Sequence, residues 1–453
     1  MKTVKEKVKT LSFEIVILHL FFELLSETFN MQICLFEDIY YDHFEPMILT
    51  RPTYNLFCGI HTLRDKIKRA YPGVDVTYHT RGYLKAFIGL KNSMFKVNTI
   101  ESDECLFING RVIAPPNLAE IIKIDAPGDR LYLNGDTIIA AKVSGKKLED
   151  MKYALDDLIT ISNFDGIPSE QVDVKYATYI WDLIHNNAAE IENDFTAYMD
   201  TNGYAPKDRI RGKVYDGAYL IEKENIYIHE TAKVMPGVVI DASEGPVFIN
   251  SGSTIYPNAV IEGPVCIGKD TKVKPGAVLY QGVTVSKVCK VGGEIEGSII
   301  SPYTNKQHSG FMGHAYIGSW VNLGADTNNS DLKNNYGTVR ISVSGELVDS
   351  GQQFLGLIMG DHSKSAINTM FNTGTVVGFS SNIFGSGFPN KYIPSFAWGG
   401  ADMMTTYDIE KSLETAKRVV QRRNRVITEI EEQLFRKVFD LTHKQRRKLG
   451  FPY

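Results

Sequence analysis

The 453-residue chain has little cysteine. Cys34, Cys58, Cys105, Cys266 and Cys289 are odd in number and scattered, with no C-x-x-C pair. That pattern excludes a disulfide frame and a structural zinc site of the usual spacing, and it suits a reducing compartment. A charge excess is lacking too. Lysine and arginine number 49 against 53 aspartates and glutamates, a formal net charge of -4, whereas a nucleic-acid binder ordinarily carries a basic excess. Nor does any apolar run look clean enough to span a bilayer. The nearest, "IVILHLFF" behind "KTVKEKVK", is interrupted by Glu14, His19 and Glu23 and is followed by no small-residue cleavage site. Residues 1–30 therefore read as an amphipathic leader or an over-extended start, dispensable for fold and activity. The expected location is the cytoplasm, and neither nucleic acid nor a membrane is an expected partner.

What is present is ordinary globular composition, 43% hydrophobic and 23% charged, in a chain too long for one core. From Met31 to about residue 200, strand-like runs ("QICLF", "VDVTYH", "ECLFING", "RLYLNGDTIIAAKV") alternate with helical patterns ("GIHTLRDKIKRA", "WDLIHNNAAEIENDF"). This alternation predicts an α/β domain over 31–200 with a mostly parallel sheet. A Gly/Asp/Tyr-rich linker is expected over 201–225.

The strongest signal follows. Ile249, Ile255, Ile261, Ile267, Val273, Leu279, Val285 and Val291 fall six apart without a miss. Ile228, Val234 and Ile240 form a shorter run in a shifted register, with echoes at Ile317, Leu323, Met359, Phe371, Val377 and Ile383. Strand alternation has period two and would not single out every sixth residue. A period of six predicts a β-helix over 226–400, each inward aliphatic stacking on its counterpart one coil away. Past residue 400, Ile409, Leu413, Ala416, Val420, Ile427, Ile430, Leu434 and Val438 have helical spacing and predict a C-terminal helical arm over 401–453. Its cluster of Lys417, Arg418, Arg422, Arg423 and Arg425 reads first as a solvated face, and second as a seat for a coenzyme phosphate.

At Ser301–Ala325 ("SPYTNKQHSGFMGHAYIGSWVNLGA") the repeat is interrupted by two histidines, a lysine and four glycines. The expectation is a lobe that leaves the coil wall and presents proton-moving groups over a cleft.

An α/β domain followed by a hexapeptide helix resembles the bifunctional enzymes that make UDP-N-acetylglucosamine. Those join a sugar-phosphate uridylyltransferase to a left-handed β-helix acetyltransferase. The motifs that carry the resemblance are "IGKDTKVKPGA", "NKQHSGFMGHAYIGSWVNLGA" and "NNYG". The resemblance implies a left-handed helix, a homotrimer with its cleft between subunits, and acetyl-CoA as donor. It implies His308 as the base, Lys274 as the sugar-phosphate contact, and Lys306, Asn322, Asn335 and Tyr336 around the substrate. The sequence departs from that pattern at Asn305, where the family has its active-site lysine, and at Phe311, where it has a tyrosine.

In the N-terminal half the glycine-rich phosphate loop is missing after the first strand, which runs into "EDIYYDHFEPMILTRP". The half is similar to a divergent bacterial branch of sugar nucleotidyltransferases. Arg51 and Lys66 are the candidates for holding phosphates, and Asn109, Gly110 and Arg111 for the nucleotide. Arg111 stands where a magnesium carboxylate is expected. Asp136 and Asp182 remain as candidates for Mg2+, which needs hard oxygen ligands to bridge phosphates.

Acetyl transfer from a thioester to an amine needs a base, an oxyanion donor and two substrates in contact. Imidazole is the side chain that changes charge between about pH 5 and 8 without tuning, and no nucleophilic serine or cysteine is required. Three functions follow. The first is acetyl-CoA-dependent N-acetyl transfer to an amino-sugar phosphate such as glucosamine-1-phosphate, with a nucleotidyltransferase-like domain of reduced or altered activity. The second is uridylyl or thymidylyl transfer from a nucleoside triphosphate to a sugar-1-phosphate, the helix serving as a trimerising scaffold. The third is a non-catalytic sugar-nucleotide-binding module.

Overall fold

The structure, a computed structural model, describes residues 31–91, 95–153, 155–156 and 158–451. The expectation for the leader, residues 1–30, lies outside the described residues. The run "MQICLF" is buried at every position, as a strand covered on both faces must be. It occupies the middle of a seven-stranded sheet. In spatial order the strands are Lys96–Val97, Asp75–Tyr78, Met31–Phe36, Glu104–Asn109, Thr137–Ser144, Arg130–Asn134 and Ser169–Gln171. The first four run parallel, and Thr137–Ser144 is antiparallel to both of its neighbours.

The expected helices form at Leu63–Ala70 and Ile180–Asn202. Thr62 starts the shorter one by accepting the Asp65 N–H at 3.3 Å, an N-cap that satisfies an otherwise orphan donor. Gly203, at φ 64°, ends the longer one, where a Cβ would be penalised.

The C-terminal half is a three-sided parallel β-helix. Every residue named for its period of six is at most 3% exposed, and all belong to one continuous core. Full burial of one such side chain stabilises the fold by roughly 1.5–3 kcal/mol before the entropy of ordering it is subtracted. The first rungs, Lys213–Val214 and Tyr219–Ile221, already lie inside the segment expected as a linker.

One face of the helix, nine strands from Ile226–Ile228 to Tyr392–Ile393, is apolar on its outer side as well. Tyr227, Phe248 and Cys266 pack under Ile191, Phe195 and Met199 of the long helix. Farther along, Ile299, Tyr316, Ile358 and Val376 pack against Phe44, Met47, Ile48 and Leu56. The chain thus covers this wall with its own N-terminal domain. The other two faces carry exposed polar residues such as Lys233, Lys272 and Glu294.

One expectation needs correction, and the expected C-terminal helical arm forms. The coil does not break at Ser301–Ala325. Val291, Ile295 and Ile300 pair in register with Lys306, Met312 and Ile317, so the coil continues with shortened corners, 15 residues from Val291 to Lys306 against 18 from Val273 to Val291. The true excursion comes later, where the hairpin Arg340–Val343/Glu346–Asp349 leaves the wall and packs Val339, Ile341 and Leu355 on the N-terminal domain. In the C-terminal arm the helical spacing forms the helices Ile409–Gln421 and Glu429–Leu441. Asn424 takes a left-handed φ of 53° between them, and Thr428 with Glu431 forms a capping box that starts the second.

Among the described residues, no helix is long and apolar enough to cross a membrane.

Candidate functional site

His308 sits exposed at a corner of the coil, just after strand Asn305–Lys306. What holds it there is Lys306. This lysine occupies the inward position where the neighbouring coil has Val291, and it is 2% exposed. Its Nζ donates to the carbonyl oxygens of Gly292 (3.1 Å), His308 (3.1 Å) and Ser309 (3.4 Å). Burial lowers its pKa to about 8. The side chain therefore threads out of the core and pins the His308 corner by its backbone, instead of reaching a substrate outside the coil.

Gly293 lets this happen. A Cβ there would lie 2.9 Å from both the His308 carbonyl oxygen and Lys306 Nζ, too close for any side chain. Lys274 stands on the same edge two coils away, since Val273, Val291 and Lys306 are successive register partners. At the usual strand spacing of about 4.8 Å, that puts their backbones about 10 Å apart. Lys274 Nζ lies 5.4 Å from the Tyr256 ring centroid and is only half-buried, so it is free to meet an anion.

The other expected substrate contacts are not gathered at this corner. Asn322 is exposed on the next coil in bridge pairing with Asn305 and Lys364. It lines a cavity of about 200 Å³ with Arg422 and Arg423. Asn335 accepts the Gly337 N–H at 3.1 Å, and Tyr336 is 68% exposed, both on the chain leading into the excursion. His314 belongs to a separate cluster, its Nδ1 2.8 Å from Asp331 Oδ2 and its ring 5.8 Å from that of His185 on the long helix.

In the N-terminal domain a nucleotide would be expected at the carboxyl ends of the parallel strands, and that crevice is filled by the protein's own ion pairs. Glu37 is fully buried and accepts from Thr53 N, Thr80 Oγ1 and Arg81 Nε at 3.0–3.1 Å. Arg111 is 2% exposed, grips Asp38 through Nε and a second nitrogen, and donates to the Ala177 carbonyl at 2.8 Å. Asn109 donates to Asp38 at 2.9 Å, and Gly110 packs so tightly that a Cβ would meet Tyr54 at 2.9 Å.

Lys66 is buried between Glu190 (2.6 Å) and Asp194 (2.7 Å). Arg51 is paired with Asp361 of the coil. Of the five charges read as phosphate, nucleotide or metal groups from the sequence, Lys66 and Arg111 lie inside the fold, Arg51 is in a domain contact, and Asp182 caps a helix through the N–H groups of Thr178 and Tyr179. Asp136 is exposed in the turn after Arg130–Asn134. Among the described residues no cluster of three or more His, Cys, Asp or Glu is placed to hold a metal by protein groups alone.

The feature that sequence reading missed is a column of rings at another corner of the coil. Tyr303, Trp320 and His362 sit on successive coils, Tyr303 and Trp320 with centroids 4.2 Å apart and Trp320 and His362 6.1 Å apart. All three have φ between 62° and 67°, a conformation uncommon for bulky residues. The same corner carries Asp270, Val288, Ser380 and Phe396 on other coils at φ 51–60°, so the left-handed corner recurs along the coil and what sets these three apart is that their rings stack.

Burial pushes the His362 pKa down to about 3, with Lys364 and Arg51 adding to the effect and Asp361 opposing it. The folded imidazole is neutral, so the unfolded chain takes up the proton first as pH falls. The contribution to stability is full above about pH 6.5 and is lost as pH drops toward 3, at about 1.4 kcal/mol per pH unit. Urea unfolding between pH 6.5 and 4.5 should give a slope steeper by about this amount in the native protein than in His362→Gln. Equal slopes would mean that His362 takes up its proton in the folded state.

Residues 33–201 match the family described as sugar nucleotidyl transferase. The bifunctional protein GlmU of Methanococcus aeolicus is 31% identical over 246 residues, 54% of this chain and 53% of that protein. GlmU of Methanococcus maripaludis strain S2 is 36% identical over 218 residues, 48% of this chain and 50% of that protein. The chain spans at most about half the length of the curated relatives it matches. Among solved structures, the UDP-N-acetylglucosamine acyltransferase of Francisella novicida aligns at 15% identity with a TM-score of 0.28, covering 52% of this chain and 83% of that one. Over up to about half its length the chain is thus similar in sequence to GlmU proteins, and its residues 33–201 match the sugar nucleotidyl transferase family.

Proposed function

We propose that this protein transfers an acetyl group from acetyl-CoA to the amine of an amino-sugar phosphate resembling glucosamine-1-phosphate, with His308 as general base. The observation that carries the reading is the corner itself: an exposed imidazole whose backbone is clamped by a buried lysine, with Lys274 on the same edge. The amine nitrogen attacks the thioester carbonyl while His308 takes the amine proton. The C–S bond breaks as the tetrahedral intermediate collapses, and the coenzyme leaves as thiolate and is then protonated. Lys274 balances the charge of the sugar phosphate, and backbone N–H groups at the corner are available to the oxyanion. GlmU relatives, named as bifunctional, support the pairing of domains.

The N-terminal domain, in this reading, retains the fold of a nucleotidyltransferase with poor turnover. The ion pairs Glu37–Arg81 and Asp38–Arg111 stand where nucleotide and metal would enter. The same pairs count against nucleotidyl transfer as the main activity, with the helix only a scaffold. A panel of sugar-1-phosphates assayed with acetyl-CoA and, separately, with nucleoside triphosphates and magnesium tests both halves. Acetylation without appreciable pyrophosphate release is expected; brisk magnesium-dependent pyrophosphate release would refute the reduced-activity reading. Absence of turnover with either donor would favour a sugar-nucleotide-binding module.

A homotrimer completes the site. One face of the helix is already covered by the N-terminal domain, so subunit contacts must use the other two, which bear His308, Lys274 and Asn322. Asn335 and the exposed Tyr336 are then available to a neighbouring subunit's corner. Light scattering should report three chains per particle, and a stable monomer with full acetyl-transfer activity would contradict the shared site. Buried, unpaired cysteines agree with a cytoplasmic setting.

A further inference from the structure

A cavity of about 580 Å³ lies where three parts of the chain meet: the segment around Thr50, the ring column of the coil, and the C-terminal helices. It is apart from both sites discussed above. Strand Asn305–Lys306 separates Tyr303 in its wall from the His308 corner.

Its chemistry is divided. One wall is apolar, built from Phe87, Phe379, Leu434 and Phe435. The Tyr303–Trp320–His362 column shares the lining, its His362 ring meeting Phe379 and Phe435 edge-on with centroids 5.8 and 4.8 Å apart. At the rim stand Lys287 and Arg425, both exposed. Arg425 is held over the rings, 5.4 Å from the Tyr303 centroid and 5.9 Å from that of Trp320.

The charges do not cancel locally. Asp361 is committed to Arg51, Thr50 and the Ser319 N–H. Glu431 is committed to the capping box at Thr428. Neither Lys287 nor Arg425 is in an ion pair among the described residues. Inside, His362 is only 8% exposed, and its Nδ1 is buried without a hydrogen-bond partner. A buried polar atom left unmatched costs free energy, and here it borders a space large enough for a ligand.

These features select among ligands. A bare phosphate would leave the apolar walls unused, and a sugar phosphate would press hydroxyls against them without partners. A purely apolar molecule would leave the rim cations and the His362 nitrogen unmatched. We propose that this cavity binds a nucleoside phosphate, with its planar base against the apolar lining and the Tyr303–Trp320 edge of the column and its phosphate at Lys287 and Arg425. The His362 nitrogen supplies a hydrogen bond to the base. Such a ligand would tie the N-terminal domain, coil and C-terminal helices together. A free nucleotide and the nucleotide end of coenzyme A share this chemistry.

Calorimetric titration of the full chain with ATP, UTP, coenzyme A, adenosine and inorganic phosphate tests the proposal. At least one of the first three should bind, and adenosine and phosphate should bind at least about tenfold more weakly. Lys287→Gln and Arg425→Gln should each weaken the bound nucleotide by about tenfold or more, the usual consequence of losing a charge-assisted contact. Both residues are exposed, so the variants should melt like the native protein. His308→Ala should bind the nucleotide unchanged, which separates this site from the acetyl-transfer corner. Tighter binding of ATP or UTP than of coenzyme A identifies the free nucleotide as occupant, and the reverse order identifies the coenzyme. No nucleotide binding at millimolar concentration, or binding indifferent to both charge substitutions, overturns the proposal.

Discussion

His308→Ala is expected to lower the rate of acetyl transfer about 10²–10⁴-fold, the range that a positioned general base contributes. The imidazole is exposed and donates no hydrogen bond within the described chain, whereas its backbone carbonyl is gripped by Lys306. Removing the ring therefore leaves the clamp intact, and the variant should melt within a degree or two of the native protein. Coenzyme affinity should change little, since the base acts on the acceptor amine. Steady-state kinetics with acetyl-CoA and the best amino-sugar phosphate, together with a thermal melt, check both parts. His314→Ala supplies the contrast. That residue is tied to Asp331 and packed against His185 and Phe354, so its loss should cost stability more than turnover. Near-native turnover in His308→Ala would remove this residue from the mechanism.

Lys66→Met should destabilise the protein by about 3–5 kcal/mol, the usual result when one partner of a buried ion pair is removed. Lys66 Nζ lies 2.6 Å from Glu190 and 2.7 Å from Asp194, and both carboxylates belong to the long helix. Asp194 also receives Arg69 and the N–H groups of Ile60 and His61. The methionine keeps the volume but strands two buried carboxylates with one remaining cation, Arg69, at the edge. Urea unfolding of the native and variant proteins measures the loss. If instead the variant unfolds within 1 kcal/mol of the native protein and loses nucleotide affinity, Lys66 is a phosphate ligand.

The contrast between these two residues explains what the sequence could and could not convey. The β-helix was legible because its physics is local and periodic. One aliphatic per six residues must face inward, and Ile249 through Val291 record that demand directly. The α/β half was legible for a similar reason, as in the unbroken burial of Met31–Phe36. Charged residues carry no such period. Whether Lys66 meets a phosphate or Glu190 depends on a helix more than a hundred residues away, and nothing in "RDKIKRA" distinguishes the two.

Lys306 misleads in the same way. Its position in the strand register, opposite Val291, shows it to be an inward residue, but the shortened corner before it hides that register from a fixed count of six. The ring column escaped because Tyr303, Trp320 and His362 are far apart in sequence and stack only when the coils are laid on one another. The outer face of "IYI", "VFI" and "VCI", apolar where a free coil wall would be polar, was a visible sign that this wall is covered.

The most direct test of acetyl transfer is the loss of acetyl-CoA thioester followed with and without glucosamine-1-phosphate, with the product identified by mass. The account predicts thioester cleavage that requires the amino-sugar phosphate and yields one N-acetylated sugar phosphate per free thiol. Cleavage indifferent to the acceptor, or none with any amino-sugar phosphate while the trimer is intact, would contradict it.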